Sequence, residues 1–186
     1  MTKIDILSMS RQSEGASPAL LKAAAKALCE AYNRLPPDAQ DERIRLLQEL
    51  LQCPPSVMVE PAFTIEYGRH CRIGKGSFIN HNVTIIDTCP ITIGNQVLIG
   101  PNCIISSAPH RTTLHFNEDT DSQDGQPVTI GHRVWIGANC IICAGVTIGD
   151  NAVIGAGSRV ENDIPANSVA YGKPARVQRK IKQNSQ

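Results

Sequence analysis

From Val128 to Val169 apolar and polar positions repeat in blocks of six: VTIGHR, VWIGAN, CIICAG, VTIGDN, AVIGAG, SRVEND and IPANSV. The third position reads Ile130, Ile136, Ile142, Ile148, Ile154 and Val160 without a break in register. The first reads Val128, Val134, Cys140, Val146, Ala152 and Ser158, all small or aliphatic. Positions two apart share one face of an extended segment. The Gly that mostly follows lets the backbone bend where a Cβ would resist. The pattern therefore predicts a short strand and a corner in every block. A helix would need apolar residues three and four apart over roughly eleven or more positions, which this period does not supply. Six-residue repeats of this kind mark a parallel β-helix.

The same register extends upstream through Ile65, Ile73, Ile79, Ile85, Ile93, Ile99 and Ile105, starting near Val57. Two steps, Ile65 to Ile73 and Ile85 to Ile93, are eight residues long, which predicts bulges near Arg69-His70 and Cys89-Pro90. The largest break, Pro109 to Pro127, is polar and aperiodic, yet the repeat resumes in register after it. It must loop out of the coil, and unstructured loops of such length are usually functional or disordered. Ahead of the coil, Ser17-Pro18 reads as an N-cap and first helical residue. Leu21, Ala24, Leu28 and Tyr32 then share a helical face, and Pro36-Pro37 ends the helix. A second helix, about Asp41 to Gln52, carries Ile44, Leu47 and Leu51 and stops at Pro54-Pro55. The expected organisation is a helical segment over 1–56, a coil over 57–175 with an extruded loop at 109–127, and a tail over 176–186.

Composition narrows the function classes. A formal charge of +1 creates no global field for nucleic acid or an anionic membrane. No apolar run approaches the roughly 20 residues that span a bilayer. The opening MTKIDILSMSRQ is too polar for a signal peptide, so a cytoplasmic protein is expected. The seven Cys are an odd number, and Cys103 and Cys140 take inward first positions, as small hydrophobes would.

ITIGNQVLIGPNC, a His on an extruded loop, and PVTIGHRVWIGANCIICAGVTIGDNAVIGAGSRVENDIPANSVAYGKPARV together resemble the hexapeptide-repeat acyltransferases. Within them the chain is most similar to the sugar O-acetyltransferase branch of maltose, galactoside and nodulation-factor enzymes. The resemblance covers about Ala25 to Arg179. It implies a mainly β fold, a left-handed parallel β-helix behind an N-terminal helical hairpin. It also implies acetyl-CoA as co-substrate without a metal, a sugar-like small-molecule acceptor, and a homotrimer with coenzyme A lying between subunits.

Residue by residue, the resemblance implies these roles. His110, ten residues after Gly100, matches the family's catalytic base. On chemistry alone, an imidazole with a pKa near 6.5 can take a proton from a hydroxyl at neutral pH, and the same residue also reads as a solvated loop histidine. Asn80 matches an acceptor-binding Asn; by spacing it reads equally as an Asn satisfying its own backbone at a corner. Asp87 follows in the same motif, while Thr88 holds the place of an acceptor-contacting Asp in galactoside-type relatives. Glu66 replaces a pocket-lining Ser or Asp, and Glu14 stands in for an Asp in a stretch that departs from the family pattern. Ala138 matches the residue meeting the thioester end, Ala156 one contacting the pantetheine arm, and Arg176 and Arg179 the basic residues at the nucleotide phosphates. Trp135 faces outward and lines the groove or the subunit seam. The family's Thr-Lys pair is Glu161-Asn162 here, so one cationic donor contact is missing.

Two other motifs compete. Cys140-Ile-Ile-Cys143 is a lone CxxC with no second pair. His110, His115 and His132 invite a zinc site, but His110 and His115 both belong to the loop. Two functions rival sugar acetylation: acetylation of an antibiotic hydroxyl on the same fold, and a scaffold that has lost catalysis.

Overall fold

The computed structural model describes residues 17–108 and 125–182. Helix α1 (Pro18–Asn33) starts as expected, with the Ser17 hydroxyl accepting the Leu20 N–H at 3.3 Å. Ala24, Ala25, Leu28, Cys29 and Tyr32 are its buried face, and Leu21 is only half-buried. Helix α2 (Gln40–Leu50) buries Leu46, Leu47 and Leu50, with Leu51 directly after it. The expected stripe through Ile44 is thus shifted, because the helix presents its Leu46–Leu50 edge to the coil and leaves Ile44 half-buried.

Five turns of coil follow. They comprise β1 (Met58–Val59), β2 (Thr64–Ile65) and β3 (Cys71–Ile73), then β4 (Phe78–Ile79), β5 (Thr84–Ile86) and β6 (Ile91–Ile93). The third turn is β7 (Leu98–Ile99), β8 (Ile104–Ser106) and β9 (Val128–Ile130), the fourth β10 (Trp135–Ile136), β11 (Ile141–Ile142) and β12 (Thr147–Ile148). The fifth is β13 (Val153–Ile154) and β14 (Arg159–Val160), and a hairpin of β15 (Ser168–Gly172) and β16 (Ala175–Lys180) closes the top. Every ladder along the coil is parallel and in register, and the hairpin alone is antiparallel. The strands stack into three faces. The first runs β1-β4-β7-β10-β13-β15-β16, the second β2-β5-β8-β11-β14, and the third β3-β6-β9-β12.

Each predicted third position from Ile65 to Val160 is buried, and the first positions fill the remaining interior. Burying one such side chain fully contributes about 1.5–3 kcal/mol. Many corners are turned by a residue in the left-handed region, Asn82, Asn102, Asn139, Asn151 and Asn167 among them. Asn tolerates that conformation better than most L residues because its short amide can bond locally. The eight-residue steps are the corners at Tyr67–His70 and Asp87–Pro90, as expected.

The helices plug the bottom of the coil. The Asn33 amide donates to the Phe63 carbonyl at 2.9 Å while its oxygen accepts the Phe63 N–H at 3.1 Å. The Tyr32 hydroxyl and the Arg43 guanidinium both donate to the Val59 carbonyl. These bonds satisfy the lowest turn, whose polar groups would otherwise form an open edge.

Candidate active site

The corner between the first and second faces stacks Asn80, Gly100, Gly137 and Gly155 on successive turns, with Ala138 and Ala156 following directly in the upper two. Its backbones approach very closely. A Cβ on Gly100 would lie 2.7 Å from the Ala138 nitrogen, and one on Gly137 2.6 Å from the Ala156 nitrogen. Only glycine fits there. Among the described residues nothing accepts the Ala138 N–H, which leaves a backbone donor at the corner. Asn80 turns its side-chain oxygen onto the His81 N–H at 2.8 Å. Its oxygen is therefore used locally, as an Asn at a corner would use it, while its NH₂ remains to bind something else. Trp135 lies beside this corner on the first face, 56% exposed.

The corner between the second and third faces carries the remaining candidates. Asp87 is fully buried, and its carboxylate accepts the Tyr67 N–H at 2.8 Å and the His70 N–H at 3.2 Å. Burial pushes its pKa above the ordinary carboxylate value, against the opposing pull of those two N–H groups. His70 Nδ1 meets the Asp87 carbonyl at 2.7 Å, and its ring lies 5.3 Å from that of Tyr67. Glu66 Oε1 pairs with Lys22 of α1 at 2.9 Å, and Lys22 also lies 5.2 Å from the Tyr67 ring centroid. The hydrogen bond to Glu66 raises the Lys22 pKa.

One turn above Asp87 the chain leaves the coil. Ser107 is buried, its one hydroxyl proton lying within reach of the Ile86 and Cys89 carbonyls at 3.0 and 2.9 Å while its oxygen accepts the Cys89 N–H at 2.8 Å. Gln126 returns by donating its N–H to the Ser107 carbonyl at 3.0 Å, so the excursion closes at its base. His110 and Glu14 lie outside the described residues. Sequence reasoning missed Lys22 and Ser107. Lys22 reads as an ordinary exposed helix position, although the Ser-Ser pair directly before the insertion was a visible signal.

Arg176 and Arg179 are both exposed on β16. Arg159 on β14 reaches Glu161 at 2.9 Å, so the acidic residue that replaces the family's pair neutralises its neighbour. All seven thiols are free, and five are buried. Cys140 points inward, and Cys143 is buried at the corner rather than open to a ligand. His132 caps a different corner, its Nδ1 accepting the Asn95 N–H at 2.9 Å. Among the described residues no three His, Cys, Asp or Glu side chains group as a metal site requires.

Residues 127–162 match the family described as bacterial transferase hexapeptide, and residues 18–53 match the maltose acetyltransferase hexapeptide capping motif. The chain is 40% identical to a galactoside O-acetyltransferase from Escherichia coli over 84% of its own length and 77% of the relative's. The chain belongs to the hexapeptide-repeat acetyltransferases. Its fold is the left-handed β-helix of that family. A maltose O-acetyltransferase from Clostridium difficile superposes with a TM-score of 0.84 at 35% identity, covering 98% of this chain and 99% of that one. A hexapeptide-repeat acetyltransferase from Vibrio cholerae, solved with acetyl coenzyme A, gives 0.77 at 33% identity, covering 98% and 100%. This family member is thus an acetyl-CoA-dependent acetyltransferase of the galactoside and maltose type. No helix among the described residues is long and apolar enough to cross a membrane.

Proposed function

We propose that this acetyltransferase moves an acetyl group from acetyl-CoA directly to a hydroxyl of a sugar-like acceptor, in sites shared between the subunits of a homotrimer. The observation that carries the reading is the division of the candidates between two corners. Asn80, Ala138 and Ala156 lie on one edge of the prism, and Glu66, Asp87 and the root of the His110 segment lie on the next. A second copy that brings the loop-bearing corner of one chain against the Gly/Ala corner of its neighbour unites them.

In that arrangement His110 accepts the hydroxyl proton as the acceptor oxygen attacks the thioester carbonyl. The carbonyl oxygen becomes an oxyanion, which the Ala138 N–H stabilises. Collapse expels the coenzyme A thiolate, and His110 returns the proton to sulfur. The Asn80 NH₂ holds an acceptor oxygen. Asp87 acts through the turn it braces, since both its carboxylate oxygens already serve backbone N–H groups. Trp135 flanks the pantetheine arm, and Arg176 and Arg179 meet the nucleotide phosphates. No buried thiol is placed as a nucleophile, so both substrates bind before transfer.

Thiol release from acetyl-CoA, measured over glucosides, galactosides, maltose and an antibiotic alcohol, tests this. His110→Ala should lower kcat by about 10²–10⁴ with intersecting initial-velocity lines for the parent enzyme. Turnover with the antibiotic alone, parallel lines, or an unimpaired variant would count against it.

A further inference from the structure

Two inward first positions behind the corner between the first and second faces carry thiols instead of Val. Cys103 and Cys140 are fully buried, and each sulfur meets the carbonyl of the corner glycine one turn above. Cys103 Sγ lies 3.1 Å from the Gly137 oxygen, and Cys140 Sγ 3.3 Å from the Gly155 oxygen. Ser77 makes the same bond at another corner, its buried hydroxyl donating to the Gly94 carbonyl at 2.9 Å. A carbonyl turned into an apolar interior gains from a donor that reaches it. The two thiol-bonded carbonyls are not equal. That of Gly155 also accepts the Ser158 hydroxyl, whereas Cys103 is the one donor to Gly137 among the described residues. The Cys140 thiol beside Cys103, together with burial, pushes the Cys103 pKa up, so the proton stays on its sulfur.

The Gly137 carbonyl and the Ala138 N–H belong to one peptide unit. That unit is planar and trans, so the two groups point in opposite directions. With the carbonyl held toward the core by Cys103, the N–H faces out of the corner, where nothing among the described residues accepts it. A tilt of the plane would turn the N–H off its line and break the thiol bond at once. A donor aimed at developing charge stabilises it most when its direction is fixed beforehand.

We propose that Cys103 is a positioning residue for acetyl transfer: from inside the coil its thiol fixes the peptide plane that aims the Ala138 N–H at the thioester carbonyl. Cys103 itself meets neither substrate. Its role rests on the assignment of Ala138 under the proposed function.

The test compares Cys103→Ser, Cys103→Ala and Cys103→Val in the full chain. Ser keeps a donor. Ala and Val lack one and depart from the volume of Cys in opposite senses, so one can stand if the other fails to fold. Ser and Ala are close in size, and packing alone would make them behave alike. The infrared difference between the parent and Cys103→Ala isolates one S–H band, which should lie below the frequency of a free thiol. Thiol release from acetyl-CoA with glucosides, galactosides and maltose gives the rates. Cys103→Ala and Cys103→Val should lower kcat about fivefold, the size of one net hydrogen bond, with the acceptor KM changed less than about twofold. Cys103→Ser should stay within about twofold of the parent. A band at the free-thiol frequency, or equal rates in Cys103→Ser and Cys103→Ala, overturns the role. If the parent turns over none of these sugars, calorimetry with acetyl-CoA and with coenzyme A decides. Weaker acetyl-CoA binding in Cys103→Ala but not in Cys103→Ser, with coenzyme A unchanged, would keep Cys103 in its role and remove the sugar reading. Unchanged acetyl-CoA binding would remove both.

Discussion

Asp87 Oδ1 accepts the backbone N–H of Tyr67 at 2.8 Å from a fully buried position, two turns of chain brought together by one carboxylate. The same group takes the His70 N–H through its other oxygen, so it fixes the corner beside Glu66. Its pKa is raised, with burial the dominant cause. The folded state therefore binds a proton more readily than the unfolded chain does. Its contribution is fully present below the ordinary carboxylate value and is lost as pH rises through the folded value. Denaturant titrations of the parent and Asp87→Asn at pH 4 and pH 7, at one fixed protein concentration, should show the parent losing ground to the variant as pH rises. Asp87→Ala should lose about 1–3 kcal/mol at both, because two backbone donors are left unpaired. A parent that gains on Asp87→Asn toward neutrality would reverse the sign of this account.

The third-to-first corner is zipped by side chains from successive turns. Asn95 Oδ1 accepts the Lys75 N–H at 3.0 Å, His132 Nδ1 accepts the Asn95 N–H at 2.9 Å, and Asp150 Oδ1 accepts the His132 N–H at 2.7 Å. His132 thus does the work of an Asn or Asp, a local acceptor for the turn below. His132→Ala should cost about 0.5–1.5 kcal/mol, whereas His132→Asn should recover most of it. Thermal melts of the three proteins decide the matter; equal losses in both variants would mean the ring acts by packing instead.

The period of six set which side chains point inward because the interior of so thin a prism is filled mainly by small and aliphatic groups, Phe63 of the lowest turn being an aromatic exception, and every Ile from Ile65 to Ile154 in that register is buried. The eight-residue steps were legible for the same reason: the register resumes, so the surplus must bulge. Corners were legible as turns but not as bonds. Nothing in the spacing of Asn80 reveals that its oxygen is spent on His81, or in Asp87 that both oxygens serve a backbone nearly twenty residues earlier. Lys22 escaped notice because its partner comes from the coil, far away in sequence. In α2 Leu47 and Leu51 are buried as read while Ile44 is only half-buried, since Leu46 and Leu50 offer a second, overlapping apolar face and only packing on the coil chooses between them.

Gly137 tests the donor corner. With Ala156 backbone atoms 2.6–2.9 Å from a Cβ built there, Gly137→Ala must push the Ala138 turn away from the Ala156 turn. The expected outcome is a raised KM for acetyl-CoA together with a stability loss of about 1–3 kcal/mol, the usual range for overpacking. Gly157→Ala is the useful comparison. It sits at the same corner with nothing within 4 Å of its Cβ, but at φ 71°, so it strains the backbone without closing the cleft. If Gly157→Ala raises the acetyl-CoA KM as much as Gly137→Ala does, close approach at the corner is not what the co-substrate needs.

The first face differs from the third in what it shows to its surroundings. Met58, Phe78, Leu98, Trp135, Val153 and Val169 stand in register along it, with Met58, Leu98 and Trp135 59%, 48% and 56% exposed. The third face instead presents Arg72, Thr92, Thr129 and Thr147, a surface suited to water. A continuous apolar ladder of this length is the kind of surface that marks an interaction site. Leu98 lies at its middle, between Phe78 and Trp135, so Leu98→Lys would require a charge to be buried among apolar neighbours wherever that ladder is covered. Light scattering should report a smaller particle for Leu98→Lys than for the parent. Transfer activity should fall by about tenfold or more, recovering in part as chain concentration is raised. Thr92→Lys, the same change on the polar third face, should alter neither mass nor rate. A Leu98→Lys protein that keeps both the parent's mass and its rate would take the first face out of the assembly. A protein that keeps its rate while falling to one chain would remove the need for a neighbour at the site altogether.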